Sequence, residues 1–258
     1  MFEPVKAIFF DLDDTLCGYW TAANVALRRA FEAHSEHGRT PDQMIQHWAE
    51  EFRTFGSEIS GTAWYTKYCR NGESTRTELM RRTLERIGIY DRQLALEIGM
   101  TYAVERQAAL ILFDEVIQVL DALHGRYKLG LITNGPADVQ REEIEKLGVG
   151  HYFDPILIEG EMLMGKPNPA VMRRGQELMA CPAEEILMVG NSYRHDLQPA
   201  IRTGWRSAWV RRPTDVPMSS RTGRPEELPG GAPEPDIIIT SLDELLPHLP
   251  LAGVGREG

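Results

Sequence analysis

At 258 residues, 42% of them hydrophobic and 26% charged, the chain can bury a large core with or without a smaller insertion, which excludes a disordered or fibrous protein. Its 28 basic and 38 acidic residues leave a formal charge of −10, which disfavours nucleic acid and anionic membrane surfaces as partners. Three scattered cysteines, Cys17, Cys69 and Cys181, form no CxxC pair, so neither a disulfide framework nor a thiolate zinc site is expected and a reducing cytoplasm is the expected location.

Met1 runs straight toward a strand-like VKAIFF, without the basic and cleavable features of a signal peptide, and the longest apolar run, residues 108–113, is too short to span a bilayer. Residues 5–10 read as a central parallel strand buried on both faces, ending abruptly at Asp11-Leu12-Asp13-Asp14-Thr15. Two carboxylates two residues apart at a strand's carboxyl end can share a side, and their repulsion calls for a cation such as Mg2+ or for a proton. Such a pair is also found in solvated acidic turns; its place behind so apolar a strand favours chemistry.

Residues 19–108 hold several amphipathic stretches and no convincing strand, and read as a helical insertion after the first strand. Helix starts are expected at Thr40-Pro41-Asp42-Gln43 and at residues 74–77. Beyond the insertion, short apolar runs at 129–133, 155–158, 186–190, 207–210 and 236–239 alternate with helical stretches such as 137–147 and 169–179. That alternation predicts an α/β fold, a Rossmann-like parallel sheet flanked by helices. Residues 213–235, rich in proline, glycine and arginine, read as a long surface excursion that could act as a flap.

Three further stretches carry polar groups at strand ends. Thr133, Asn134 and Gly135 leave one strand and enter a helix, where a hydroxyl and backbone N–H groups can hold an anion or simply cap the helix. Lys166, in Gly165-Lys166-Pro167, is the only lysine after Lys146 in a chain that otherwise uses arginine there, and its point charge suits a phosphoryl or carboxylate oxygen. Gly190-Asn191-Ser192 leads to Asp196, so that an amide oxygen and a carboxylate are available as hard ligands for a cation. His195 reads as a structural hydrogen bonder, since no serine or cysteine nucleophile sits in a recognisable elbow.

Taken in order, Asp11-Leu12-Asp13-Asp14-Thr15-Leu16, Ile132-Thr133-Asn134-Gly135, Lys166-Pro167 and Val189-Gly190-Asn191-Ser192 with Asp196 resemble the four motifs of the haloacid dehalogenase-like hydrolase superfamily across nearly the whole chain. The resemblance implies a hydrolase core of residues 1–18 and 109–258 with a helical cap of residues 19–108. It implies an Mg2+-dependent phosphatase acting on a small phosphorylated metabolite, for which a monomer or homodimer is the default expectation. Asp11 would be the nucleophile that forms an aspartyl-phosphate, Asp13 the general acid and base, and Lys166 the neutralising cation. Thr133, Asn134 and Gly135 would bind the substrate, while Mg2+ would meet the Asp11 carboxylate, the Asp13 carbonyl, Asn191 and Asp196.

One departure bears on the cofactor, because the fourth motif usually carries an acid where Asn191 stands. The resemblance therefore leaves open a metal-independent 2-haloacid dehalogenase, although displacement of halide needs no proton donor and Asp13 is present. A phosphonate-cleaving relative would use a cap lysine, here Lys67, as a Schiff base; a non-catalytic binding module would be expected to lack Asp11, Asp13 or Lys166. Tyr19 and Trp20, at the expected hinge, either gate the site or pack the junction, and the aromatic stretch at 64–70 either sets specificity or fills the helical bundle.

Overall fold

The computed structural model describes residues 5–35 and 38–250; the expectations drawn from the first four residues and from the last eight lie outside them. Strand β1 (Ala7–Phe10) is buried at every position, and its alternate side chains serve both faces of the sheet. Ile8 and Phe10 join one apolar layer with α6 (Val116–Leu123) and the turn at Leu242–His248. Ala7 and Phe9 join another with α9 (Pro169–Met179) and α10 (Gln198–Arg202). This two-sided demand explains why β1 is a continuous apolar run rather than an alternating one.

The other strands are β2 (Lys128–Thr133), β3 (Ile156–Ile158), β4 (Ile186–Gly190), β5 (Arg206–Val210) and β6 (Ile237–Ile239). All pair in parallel, in the order β3-β2-β1-β4-β5-β6, so the expected Rossmann-like sheet is present. Chain progression reverses direction on either side of β1, which opens a crevice beyond the carboxyl ends of β1 and β4. Between β2 and β4 lie α7 (Ala137–Leu147), the single turn α8 (Glu159–Met162) and α9.

Five helices follow β1 as an inserted all-helical cap: α1 (Tyr19–Ala33), α2 (Pro41–Ile59), α3 (Ala63–Arg70), α4 (Gly72–Glu85) and α5 (Arg92–Ala109). Their apolar faces build a separate core, in which Ala23, Ala26 and Ala30 of α1 are buried with Ala95, Ile98 and Tyr102 of α5. Thr40 starts α2 with a reciprocal cap, its hydroxyl accepting from Gln43 N–H while Gln43 Oε1 accepts from Thr40 N–H. The start expected at Ser74 is displaced to Gly72, because Asn71 supplies the cap and its Oδ1 accepts from Ser74 N–H at 2.7 Å. Among the described residues, no helix is long and apolar enough to cross a membrane.

The excursion at 213–235 is tied down rather than free. Glu226 accepts from the backbone N–H groups of Tyr193 and Arg194 and from Ser192 Oγ, while Tyr193 Oη donates to Pro233 O at 2.7 Å.

The sheet core leaves no room for a side chain at Gly130 on β2. A Cβ there would lie 2.8 Å from Met179 Cε and closer still to the ring of Phe9, which itself stacks on Trp205 at 5.2 Å. Gly130→Ala is expected to lower stability by about 1–3 kcal/mol, seen as a fall in the urea midpoint at unchanged m-value.

Candidate active site

Asp11 is the first residue past β1, and its N–H donates to Val189 O at 3.0 Å, anchoring it beside the end of β4. Lys166 arrives from the loop before α9, where Asn134 grips its backbone on both sides: Asn134 Oδ1 accepts from Lys166 N–H at 2.8 Å and Asn134 Nδ2 donates to Lys166 O at 2.7 Å. The Lys166 ammonium, only 5% exposed, donates to Asp11 Oδ1 at 2.5 Å, Asp196 Oδ1 at 2.6 Å and Ile132 O at 2.8 Å. Three protons meet three acceptors, so this buried cation is fully satisfied.

Asp196 sits in the turn Tyr193–Leu197, where its Oδ2 also accepts from Ser192 N–H at 2.9 Å. Gly190 makes room for it, since a Cβ at that position would overlap the Asp196 carboxylate. Sequence reading expected Asp11, Lys166 and Asp196 at one site, and the structure brings them into direct contact.

Burial pushes the Asp11 carboxyl up to about 6 despite the opposing pull of Lys166. Burial would lower the Lys166 ammonium, but Asp11 and Asp196 outweigh it and raise the group above its ordinary value, so it stays charged. Asp13 faces the same cavity and is raised well above the carboxylate range by burial, then by the charges of Glu143, Asp11 and Asp14. Asp14, held at φ 58°, accepts from Trp20 N–H at 3.1 Å and is pushed up to about 8 by burial beside Asp215. Burial, with Lys166 and Arg194 nearby, lowers His195 to about 4, and its Nδ1 lies 3.2 Å from Ser192 Oγ, the structural bond expected of it.

Asn191 is turned by Asp215, a residue in the aperiodic stretch beyond β5. Its Nδ2 donates to Asp215 Oδ2 at 2.8 Å, which leaves its Oδ1 facing Thr15 Oγ1 at 3.4 Å, and that hydroxyl in turn donates to Asp11 Oδ2 at 3.1 Å. Asp215 is 7% exposed, its Oδ1 has no hydrogen-bond partner, and burial raises it to about 6.

Thr133 is buried behind Gln140, donating its hydroxyl to Gln140 Oε1 at 2.6 Å. Gln140 Nε2 donates to Glu143 Oε2 at 3.0 Å and approaches Asp13 Oδ2 at 3.4 Å, and Glu143 is ion-paired with Arg106 of α5 at 2.6 Å. A polar chain thus runs from the end of β2 to the cap. Asn134 and Gly135 line the cavity, but the Asn134 side chain holds Lys166 and Gly135 N–H donates to Glu159 Oε2 at 2.9 Å. Glu159 also accepts from Tyr65 Oη at 2.8 Å and Tyr68 Oη at 3.3 Å, which ties α3 to the core.

The cavity between cap and core has a volume of about 350 Å3. Tyr19 and Trp20 both line it and both pack, with Trp20 edge-on to Phe52 at 5.5 Å. Of the aromatic stretch, Tyr68 reaches the cavity whereas Trp64 packs edge-on to Phe55. Lys67 is exposed and lies over the Trp64 ring at 5.1 Å, on a different pocket, which removes the structural basis for a Schiff-base lysine at Asp11.

The residues that sequence reasoning missed are Thr15, Gln140, Glu143, Arg106 and Asp215. Gln140 and Glu143 had a weak signal, polar residues three apart on the helix that follows Thr133; Asp215 had none, lying in an aperiodic stretch.

Among the described residues, no three His, Cys, Asp or Glu side chains are grouped to hold a metal ion. Mg2+ needs less, since it keeps several waters and takes one or two carboxylates. Asp11, Asp196 and the Asn191 amide oxygen are hard donors of that kind. Asp11, Asp14, Asp196 and Asp215 act on one another electrostatically opposite a single ammonium, and the unpartnered Asp215 oxygen marks a surplus of negative charge that a cation would relieve. The residues present fit the ion.

The model of a family described as haloacid dehalogenase-like hydrolase matches residues 5–204. The chain is 27% identical to the N-acylneuraminate-9-phosphatase of Mus musculus over 249 residues, 93% of this chain and 92% of that one. A solved structure of YfnB, a magnesium-bound HAD hydrolase of Bacillus subtilis, superposes with a TM-score of 0.71 at 19% identity, covering 95% of this chain and 99% of that one. The 2-haloacid dehalogenase of Pseudomonas syringae pv. Tomato gives a TM-score of 0.64 at 25% identity, covering 94% and 97%.

Lys166→Met would leave Asp11 and Asp196 buried against each other. In metal-free buffer at pH 7.5 it is expected to cost about 3–5 kcal/mol in urea unfolding, a loss that shrinks toward pH 5 as the carboxylates take up protons.

Proposed function

We propose a phosphatase reading for this chain, which belongs to the haloacid dehalogenase-like hydrolase family and is an enzyme of that class. It hydrolyses a small phosphomonoester with Mg2+ as cofactor, using a core of residues 1–18 and 109–258 under a cap of residues 19–108. The observation that carries the reading is a second carboxyl group, Asp13, on the same cavity as Asp11 and Lys166. An alkoxide leaving group needs a proton, and a carboxyl two residues from the nucleophile can deliver it; departing halide needs none.

Asp11 attacks phosphorus in line, the ester P–O bond breaks, and the Asp13 carboxyl protonates the departing oxygen, leaving an aspartyl-phosphate. Asp13, now ionised, takes a proton from water as that water's oxygen attacks phosphorus, which releases phosphate and restores the Asp11 carboxylate. Lys166 fixes the Asp11 carboxylate and reduces its repulsion of the incoming phosphoryl group. The backbone N–H of Asn134, and the Thr133 hydroxyl and Gly135 N–H once they leave Gln140 and Glu159, would hold the transferring oxygens. Asp11, the Asp13 carbonyl, Asn191 and Asp196 would hold Mg2+, which when bound neutralises charge on the transferring group. Asp215 supports this ligation by accepting from Asn191 Nδ2, which keeps the amide oxygen turned toward Thr15 and Asp11.

The relatives support the reading at the level of chemistry, since the N-acylneuraminate-9-phosphatase matches this chain over nearly its full length. Asn191, where an acid is usual, is the feature that favours metal-independent dehalogenation instead.

Asp11→Asn is expected to lower hydrolysis of 4-nitrophenyl phosphate about 1,000-fold or more while the circular dichroism spectrum is unchanged; retained turnover would remove Asp11 as nucleophile. Chelation by EDTA should silence the wild-type enzyme and Mg2+ should restore it. Halide release from a 2-haloacid, indifferent to EDTA and without phosphatase activity, would instead establish the dehalogenase.

A further inference from the structure

The cavity carries three cationic side chains, and only two are answered. Lys166 is held by Asp11 and Asp196, and Arg106 by Glu143 at 2.6 Å. Arg76, on α4 of the cap, lines the same cavity but, unlike Arg106, has no ion pair among the described residues, and its buried Nε, like that of Arg106, has no hydrogen-bond partner. Asp138, Glu142 and Glu143 act on Arg76 electrostatically without an ion pair to it: Asp138 Oδ2 accepts from Gly72 N–H at 2.9 Å and its Oδ1 from Val139 N–H at 2.9 Å, and Glu143 pairs with Arg106. A guanidinium keeps its charge in any protein environment, so an unanswered one in a largely apolar enclosure is a standing cost unless a ligand completes it.

The surroundings restrict what that ligand is. Tyr19, Trp20, Trp48, Phe52, Leu79 and Tyr102 form the wall around the cap half of the cavity, a surface for an apolar or flat body rather than for a run of hydroxyls. A monoanion is favoured over a second phosphate, because Asp11, Asp13, Asp14 and Asp196 already line the cavity, with Glu143 behind it on Arg106, and a dianion would add more repulsion. A planar carboxylate also matches the guanidinium fork with two parallel hydrogen bonds.

We propose that the substrate is the phosphomonoester of a carboxylic acid, its phosphoryl group at Asp11 and Lys166, its apolar body between the cap aromatics, and its carboxylate on Arg76. The proposal rests on the phosphatase reading and names the substrate class for that site. Arg76 is then a specificity residue that touches substrate away from the reacting atoms.

The test compares aryl phosphates bearing a para carboxylate separated from the ring by no, one or two methylenes with the corresponding primary amides, which are similar in size and uncharged. The wild-type enzyme is expected to favour the best-fitting carboxylate over its amide at least tenfold in kcat/KM, mainly through KM. Arg76→Met should bring that ratio close to one, while Arg76→Lys should keep part of it. Equal turnover of acid and amide at all three lengths by the wild-type enzyme would overturn the proposal and leave the phosphatase reading standing, and this arm does not depend on any variant folding. A preference that survives in folded Arg76→Met would overturn the assignment to Arg76. Failure to hydrolyse any of the esters with Mg2+ present would bring down the phosphatase reading and the proposal together.

Discussion

The structure depends on one ammonium. Lys166 reaches into the crevice at the carboxyl ends of β1, β2 and β4 and donates to Asp11, Asp196 and the Ile132 carbonyl, all within 2.8 Å. Without it, Asp11 and Asp196 would meet as like charges with almost no water to separate them, and one would have to take up a proton. With it, the two carboxylates and the cation leave one net negative charge, an arrangement that holds an ionised oxygen beside a cavity. Each acceptor comes from a different strand or the turn beyond it, so the same contact also registers the end of the sheet.

Cap and core are joined by polar connections that begin at the residues expected to touch substrate. One runs from Thr133 through Gln140 and Glu143 to Arg106 on α5, and the other from Gly135 through Glu159 to Tyr65 and Tyr68 on α3. Most buried polar groups are partnered, and several of the partners here lie across the junction. Movement of the cap would therefore disturb the hydrogen bonds of Thr133 and Gly135, and a ligand that replaced Glu159 at Gly135 N–H would loosen α3.

The stretch at 213–235 changes its character once folded. Composition alone describes it as an aperiodic surface segment, yet Asp215 turns the Asn191 amide and Glu226 caps the turn that carries Asp196. Proline and glycine conceal this, because they report backbone irregularity and say nothing of where a single carboxylate will be placed. The displaced start of α4 has a related origin: Ser74 is a good capping residue, but Asn71 is as well, and the one whose backbone leaves the preceding helix in extended geometry takes the role.

What the sequence determined by itself was whatever depends on neighbours along the chain. The strands are legible because a strand buried on both faces must be apolar at every position, as Ala7–Phe10 is, and the helices because one stripe must be apolar. Asp11 was legible because a polar residue directly after such a strand has to emerge at one end of a parallel sheet, whereas Lys166 and Asp196, further along the loops after β3 and β4, were legible through the resemblance of their motifs. Only the tertiary structure decided which atoms meet. It set Lys166 between two carboxylates 155 and 30 residues away, committed Asn134 to the lysine loop and Gly135 to Glu159, and left Arg76 facing the cavity unpaired. The physical reason is that electrostatic and hydrogen-bond partnership falls off within a few ångströms and takes no account of separation along the chain, whereas periodicity and turn chemistry are properties of adjacent residues.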